Sequence, residues 1–152
     1  MPSIGRPARK TLGALLAAWV TMVFGTSALI ALFSLSARAR ASGGGLVRST
    51  WEIADEMGPA AKLLLIASFA AAVTLGARVG GRTAVRLYAA NIVLGAAAMV
   101  LTLLLIPEPL SRGFGVGLTG ARLDPAVLPV YLAGAVAGAI VHTRMVARVP
   151  RE

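Results

Sequence analysis

The stretch GARVGGRTAVR, residues 76–86, lies between two long apolar runs and carries three arginines and no acidic residue. A short basic connection between two apolar runs is typical of a cytoplasmic loop in a multi-pass membrane protein, because Lys and Arg are enriched on that side. We therefore predict that Arg78, Arg82 and Arg86 are topology anchors. Anionic lipid at the membrane surface would add about 1 kcal/mol of attraction for each basic residue.

The composition around this loop is that of a membrane protein. The chain has 152 residues, of which 57% are hydrophobic, compared with roughly 45–50% in soluble domains. Four apolar stretches are long enough to cross a bilayer. The only charged residue in them is Lys62, near the start of the second stretch, where its long side chain can reach the headgroups. The four stretches are residues 12–35, 60–77, 87–106 and 126–143.

None of these stretches alternates apolar and polar residues as a β-barrel strand does, and Ala and Leu dominate them. The sequence therefore predicts an all-α fold, an integral membrane four-helix bundle that forms a single membrane domain over residues 1–152. The first apolar run, residues 12–35, is longer than the roughly 7–15 residues of a signal-peptide core. We therefore expect the first span to be retained, with cleavage as the alternative.

The distribution of charge predicts the orientation. The segment before the first span, the second loop and the tail together carry nine of the fifteen basic residues, whereas the first and third loops carry six basic and five of the six acidic residues. Since Lys and Arg in short segments mark the cytoplasmic side, both termini are predicted to be cytoplasmic. The predicted location is the cell inner (cytoplasmic) membrane, with multiple crossings.

The first loop contains a predicted outer helix at about residues 50–57. Ser49 and Glu52 fit a capping box at its start, Gly58 suits the position after its last turn, and Pro59 can begin the next helix. Trp51 suits the aromatic belt at the membrane interface. We expect this short amphipathic helix to lie on the outer leaflet or on the bundle.

One side of this helix is acidic and the other apolar. The acidic face consists of Glu52, Asp55 and Glu56, opposite Ile53, Ala54 and Met57. Three carboxylates could hold a divalent cation, or could act on lipid in a membrane enzyme, but a solvated acidic face is the favoured interpretation. The sequence predicts no catalytic residue and no metal ligand.

The third loop is rich in glycine, at Gly113, Gly115, Gly117 and Gly120. A glycine-rich phosphate-binding loop needs a strand before it and a helix after it, and the sequence predicts neither. We expect a flexible loop whose apolar side chains dip into the membrane interface, or alternatively a contact surface for another subunit.

Polar and small residues inside the spans are the candidates for helix packing or for a pore. His142, the single histidine, is in line with Gly134 and Gly138 at spacings of four residues, and Asn91 is in line with Gly95 in the same way. A buried amide usually bonds across helices, and glycines four residues apart allow helices to approach closely. A pore lined by Asn91 and Thr74 is the alternative, and haem ligation by His142 is a less favoured one.

Several function classes are excluded by missing residues. The chain has no cysteine, which excludes disulfides and thiolate metal sites. No span contains Asp or Glu, which a proton-coupled small multidrug exporter needs inside the membrane. The fourth span also lacks the phenylalanines of the fluoride-channel signature. No nucleic-acid partner is expected, because the basic residues flank apolar spans instead of forming a soluble basic face.

We therefore predict a small non-catalytic membrane protein, an accessory or assembly subunit of a membrane complex. Its expected partners are the lipid bilayer and either other membrane subunits or further copies of itself, and no cofactor is predicted. The alternative is a small oligomeric channel or transporter for an ion or small solute.

Overall fold

The structure, a computed structural model, describes residues 5–38, 45–80, 83–106 and 128–147, with the backbone alone at 5–9, 33–38 and 56. These residues form five helices and no strand, so the prediction of an all-helical fold with four long apolar helices is confirmed over the part described. The helices are α1 (Gly5–Arg38), α2 (Leu46–Glu56), α3 (Gly58–Val79), α4 (Ala84–Leu105) and α5 (Leu128–Ala147).

Four helical segments are long and apolar enough to cross a membrane, which identifies a multi-pass membrane architecture. They are Lys10–Leu32, Gly58–Val79, Ala84–Leu105 and Leu128–Ala147, each with 20 to 23 residues and a mean hydropathy of 1.4 to 2.0. At a rise of about 1.5 Å per residue they match the roughly 30 Å hydrocarbon layer. The last helix runs four residues past the predicted end at 143, because Arg144 and Met145 are good helix formers.

Neighbouring helices in the bundle run antiparallel. The most extensive interface joins α1 to α5, followed by α3 with α4 and α4 with α5, whereas α1 and α3 touch only sparingly. The order around the bundle is therefore α1, α5, α4, α3. Large side chains fill its interior, and the fully buried ones include Met22, Leu65, Phe69, Met99 and Leu103.

Two glycines of α5 allow the close approach of α1. A Cβ atom added at Gly134 would overlap the hydroxyl of Thr26, and one added at Gly138 would overlap the side chain of Met22 and lie 2.9 Å from the carbonyl oxygen of Ala18. Because both contacts are within one chain, this glycine pair serves the packing of the bundle itself.

Helix α2 differs at its start from the helix predicted in the first loop. It begins at Leu46 with Gly45 as its N-cap, and the amide of Ser49 donates a 3.2 Å hydrogen bond to the carbonyl of Gly45. The predicted capping box at Ser49 and Glu52 is therefore wrong, since Ser49 lies inside the first turn. The helix extends back to Leu46, which lies on the same helical face as Ile53 and is 39% exposed.

The junction between α2 and α3 follows the predicted pattern. Gly58 has a positive φ of 70°, which favours glycine, and Pro59 lies in the first turn of α3. The bend lets α2 lie along α1, where Ala54 and Met57 are buried and the ring of Trp51 lies 5.8 Å from that of Phe24.

The first turn of α3 packs against the middle of α1. The indole nitrogen of Trp19 donates a 3.1 Å hydrogen bond to the carbonyl oxygen of Lys62. Since α1 has little further contact with α3 and packs extensively on α2, α2 covers α1 on this side.

Candidate functional site: the polar cluster at the basic end

One end of the bundle carries exposed cations from all four spans, and we call it the basic end. It is the end where α3 stops and α4 starts, and the antiparallel contacts place the start of α1 and the end of α5 there. Its exposed basic residues in the described part are Lys10, Arg78, Arg86 and Arg144. Arg82, the third predicted anchor, lies outside the described residues.

Asn91 forms the centre of a polar cluster near this end. Its side chain is 2% exposed, and its Nδ2 donates a 2.9 Å hydrogen bond to Oγ1 of Thr143 on α5. The Thr143 hydroxyl in turn donates to the carbonyl of Ala139 at 2.7 Å. The amide thus joins two helices through a hydroxyl that both accepts and donates.

The other side of the Asn91 carboxamide faces α3. Its Oδ1 occupies the space where a Cβ atom at Gly76 would lie, so the glycine leaves room for the amide. This Oδ1 has no hydrogen-bond partner among the described residues. Asn91 therefore contacts α3 and α5 at once, with one half of its amide bonded and the other half unbonded.

His142 is buried beside Asn91's partner Thr143. The imidazole is 6% exposed and meets the ring of Phe69 edge to face, with centroids 6.1 Å apart and an interplanar angle of 90°. Neither Nδ1 nor Nε2 has a hydrogen-bond partner in the described part of the chain. The histidine thus lies against an apolar ring with both polar atoms buried and unbonded.

Gly95 makes room for the same phenylalanine. A Cβ atom built on Gly95 would lie 3.2 Å from Cε2 of Phe69 and 3.3 Å from Cβ of Ala139. Phe69 is fully buried, so its ring fills the space between α3, α4 and α5 on the side of His142 that faces the middle of the bundle. The two predicted faces, Asn91 with Gly95 and His142 with Gly138, therefore both point inward.

Thr74 does not belong to this cluster. It is exposed on α3, and its hydroxyl donates to the carbonyl of Ala70 in its own helix at 2.7 Å. Within one chain the structure therefore does not bring Thr74 and Asn91 onto a common face.

The predicted acidic face is open to the surroundings. Glu52 and Asp55 are exposed, and Glu52 accepts a 2.8 Å hydrogen bond from Nε of Arg48 one turn earlier. This hydrogen bond and the charge of Glu52 raise the pKa of the Arg48 guanidinium. The side chain of Glu56 and the glycine-rich stretch 113–120 lie outside the described residues.

A second polar contact, which the sequence analysis did not single out, links α3 to α4. The hydroxyls of Ser68 and Thr102 lie 2.9 Å apart, and Thr102 also donates to the carbonyl of Ala98. A helical-wheel comparison could have found the pair, because Ser68 flanks buried Leu65 and Phe69. The sequence analysis also did not single out Thr143 or Phe69 as members of the cluster. The position of Thr143 next to His142 was the available signal.

The described residues contain no group of three His, Cys, Asp or Glu side chains that could hold a metal ion. No family model, no curated protein and no solved structure matches this chain. The cluster is therefore interpreted from its own geometry, in which neutral hydrogen-bonding groups connect helices within a filled core.

Proposed function

We propose that this protein is a small non-catalytic subunit of the cell inner membrane, with both termini cytoplasmic, that assembles with or stabilises a larger membrane complex. The observation that carries the proposal is that the small and polar residues inside the spans contact other helices of the same chain. Gly134, Gly138 and Gly95 contact other helices of the same chain, and Asn91 bonds to Thr143. These groups are engaged in holding four helices together.

The filled interior favours the same proposal over a pore through one bundle. Four large apolar side chains that are 0% exposed fill the centre of the bundle, namely Met22, Leu65, Phe69 and Met99. A conducting path lined by polar groups would need these side chains to move aside. The alternative, a channel, would therefore have to form between copies of the chain.

The outward faces are suited to contact with other membrane proteins or with lipid. Each span presents large apolar side chains, among them Leu12 at 55%, Leu63 at 68%, Val93 at 66% and Val146 at 36% exposed. In the most apolar stretch of each candidate span, only 33% to 39% is buried within the chain. The remaining surface is available for a partner subunit.

The chain offers a direct test because it contains no cysteine. Single variants Leu63→Cys and Val93→Cys, each carrying a photoreactive maleimide, would be illuminated in native membranes and analysed by gel shift and mass spectrometry. We expect at least one position to yield a discrete adduct with a different membrane protein. Phe69→Cys, at a fully buried position, is the control and should give none.

Three other outcomes decide against the proposal. Adducts with lipid alone at every surface position, together with a lone monomer on native electrophoresis, would contradict a subunit role. Adducts only between copies of the chain, combined with solute flux into liposomes, would support the channel. Adducts only between copies without flux would show an assembly of this chain alone.

A further inference from the structure

The basic end contains buried polar atoms that the rest of the described protein leaves without partners. They are both ring nitrogens of His142 and Oδ1 of Asn91, on side chains 6% and 2% exposed. A neutral imidazole has one donor and one acceptor, and the carboxamide oxygen is an acceptor. Since unbonded polar groups in a membrane interior are costly, such groups usually bond to ordered water when protein partners are missing.

These atoms lie at a depth that water can reach from the basic end. Thr143 is four residues before the end of α5 at Ala147, and Asn91 is seven residues after the start of α4 at Ala84. At a rise of 1.5 Å per residue these positions are about 6 Å and about 10 Å from the helix ends. The surrounding exposed cations make this end hydrophilic.

Passage further into the bundle is closed. The ring of Phe69 lies against His142, and Met22 packs on Gly138, one turn along α5 from the histidine. Both side chains are fully buried. The unbonded polar groups at the basic end are therefore bounded by an apolar layer in the middle of the bundle.

From this arrangement we propose that the basic end holds an internal hydration site. Ordered water enters between α3, α4 and α5, bonds to the imidazole of His142 and to Oδ1 of Asn91, and stops at Phe69. The hydrogen bond from Asn91 to Thr143, the residue after His142, places the carboxamide at the same level of α5 as the imidazole. The ligand of this site is water, and its floor is an aromatic ring.

The composition of the chain allows a sharp test, because it contains one histidine and two tryptophans. Protein labelled with ¹⁵N only in the rings of His and Trp, reconstituted in phosphatidylcholine bilayers, gives two signals from the one imidazole and one signal from each of the two indoles. Water-edited solid-state NMR then measures how fast magnetisation passes from water to each ring. Trp51, 65% exposed, is the exposed reference, and Trp19, whose indole nitrogen bonds to the carbonyl of Lys62, is the half-buried reference.

We expect His142 to receive water magnetisation as fast as Trp51 and several-fold faster than Trp19, despite its burial. Transfer as slow as that to Trp19 would overturn the proposal. In Asn91→Leu, transfer to His142 should fall at least about threefold, and in the surface control Thr74→Val it should not change. Unchanged transfer in folded Asn91→Leu would show that Asn91 does not share the site. If Asn91→Leu does not fold, the measurement on the wild-type chain still decides.

Discussion

The hydroxyl of Thr143 lies between two groups that it joins, accepting from Nδ2 of Asn91 at 2.9 Å and donating to the carbonyl of Ala139 at 2.7 Å. Both capacities of the hydroxyl are used, so its chemistry, and not only its size, is required at this position. A serine can reproduce both bonds, whereas a valine of nearly the same shape as threonine can make neither.

We therefore predict that Thr143→Val destabilises the bundle by about 1–2 kcal/mol, because it leaves a buried amide donor unbonded. Thr143→Ser should lose less than half as much. The free energy of unfolding, measured by titration with sodium dodecyl sulfate in mixed micelles, checks both values. Equal stabilities for the valine and serine variants would show that the hydrogen bond contributes nothing.

The glycines of α5 and α1 give a matched pair of substitutions. Gly138→Ala places a Cβ 2.9 Å from the carbonyl oxygen of Ala18, and a backbone atom cannot move aside easily. We expect a loss of about 1–3 kcal/mol from this overpacking. Gly25→Ala meets nothing within 4 Å and should leave stability unchanged or raise it by up to about 1 kcal/mol. Thermal unfolding in detergent should separate the two variants, and similar melting temperatures would count against the α1–α5 interface.

The two tryptophans should report on different surroundings. Trp51→Phe leaves only Trp19, which is half-buried and bonded to Lys62, and Trp19→Phe leaves only Trp51, which is 65% exposed. We expect the emission of Trp19 to lie at shorter wavelength and to be quenched less by iodide. Trp19→Phe should also cost about 1 kcal/mol through the lost hydrogen bond. Indistinguishable spectra would place α2 differently from the structure.

The orientation of the spans can be tested with single cysteines at two exposed valines. Val47 on α2 is 85% exposed, Val85 at the basic end is 80% exposed, and α3 separates them in sequence. We expect a membrane-impermeant maleimide to label Val47→Cys on intact cells and Val85→Cys only after permeabilisation. Labelling of both from one side would mean that α3 does not cross the membrane, and the reverse pattern would invert the predicted orientation.

Sequence reasoning located the membrane spans because long apolar runs have few alternatives. It also placed the bend at Gly58 and Pro59, where backbone geometry restricts the residue type. It misplaced the start of α2, because Ser49 and Glu52 fit a capping box as well as they fit the interior of a helix. A local pattern cannot show that the helix already begins at Leu46, one turn earlier, with Gly45 as its N-cap.

Which residues contact one another within the polar cluster could not be predicted from the sequence. Periodicity indicates that Gly134 and Gly138 share a face, but it does not show that α1 covers that face. Asn91 was expected to bond across helices, yet its partner could have been any hydroxyl on a neighbouring helix. Which helices are neighbours depends on the packing of the whole bundle, and this determines that Thr143 pairs with Asn91 and that Phe69 meets His142.

The largest interface in the bundle joins the first helix to the last. During synthesis α1 leaves the ribosome long before α5. The surface of α1 that carries Met22 and Thr26 therefore has no α5 to pack against until more than one hundred further residues have been synthesised. The α3–α4 hairpin, by contrast, can pair as soon as it is inserted. Closure of the bundle is therefore a late, post-insertion event, and a ribosome stalled before Leu128 would hold a nascent chain whose first helix is still open to capture by insertion factors.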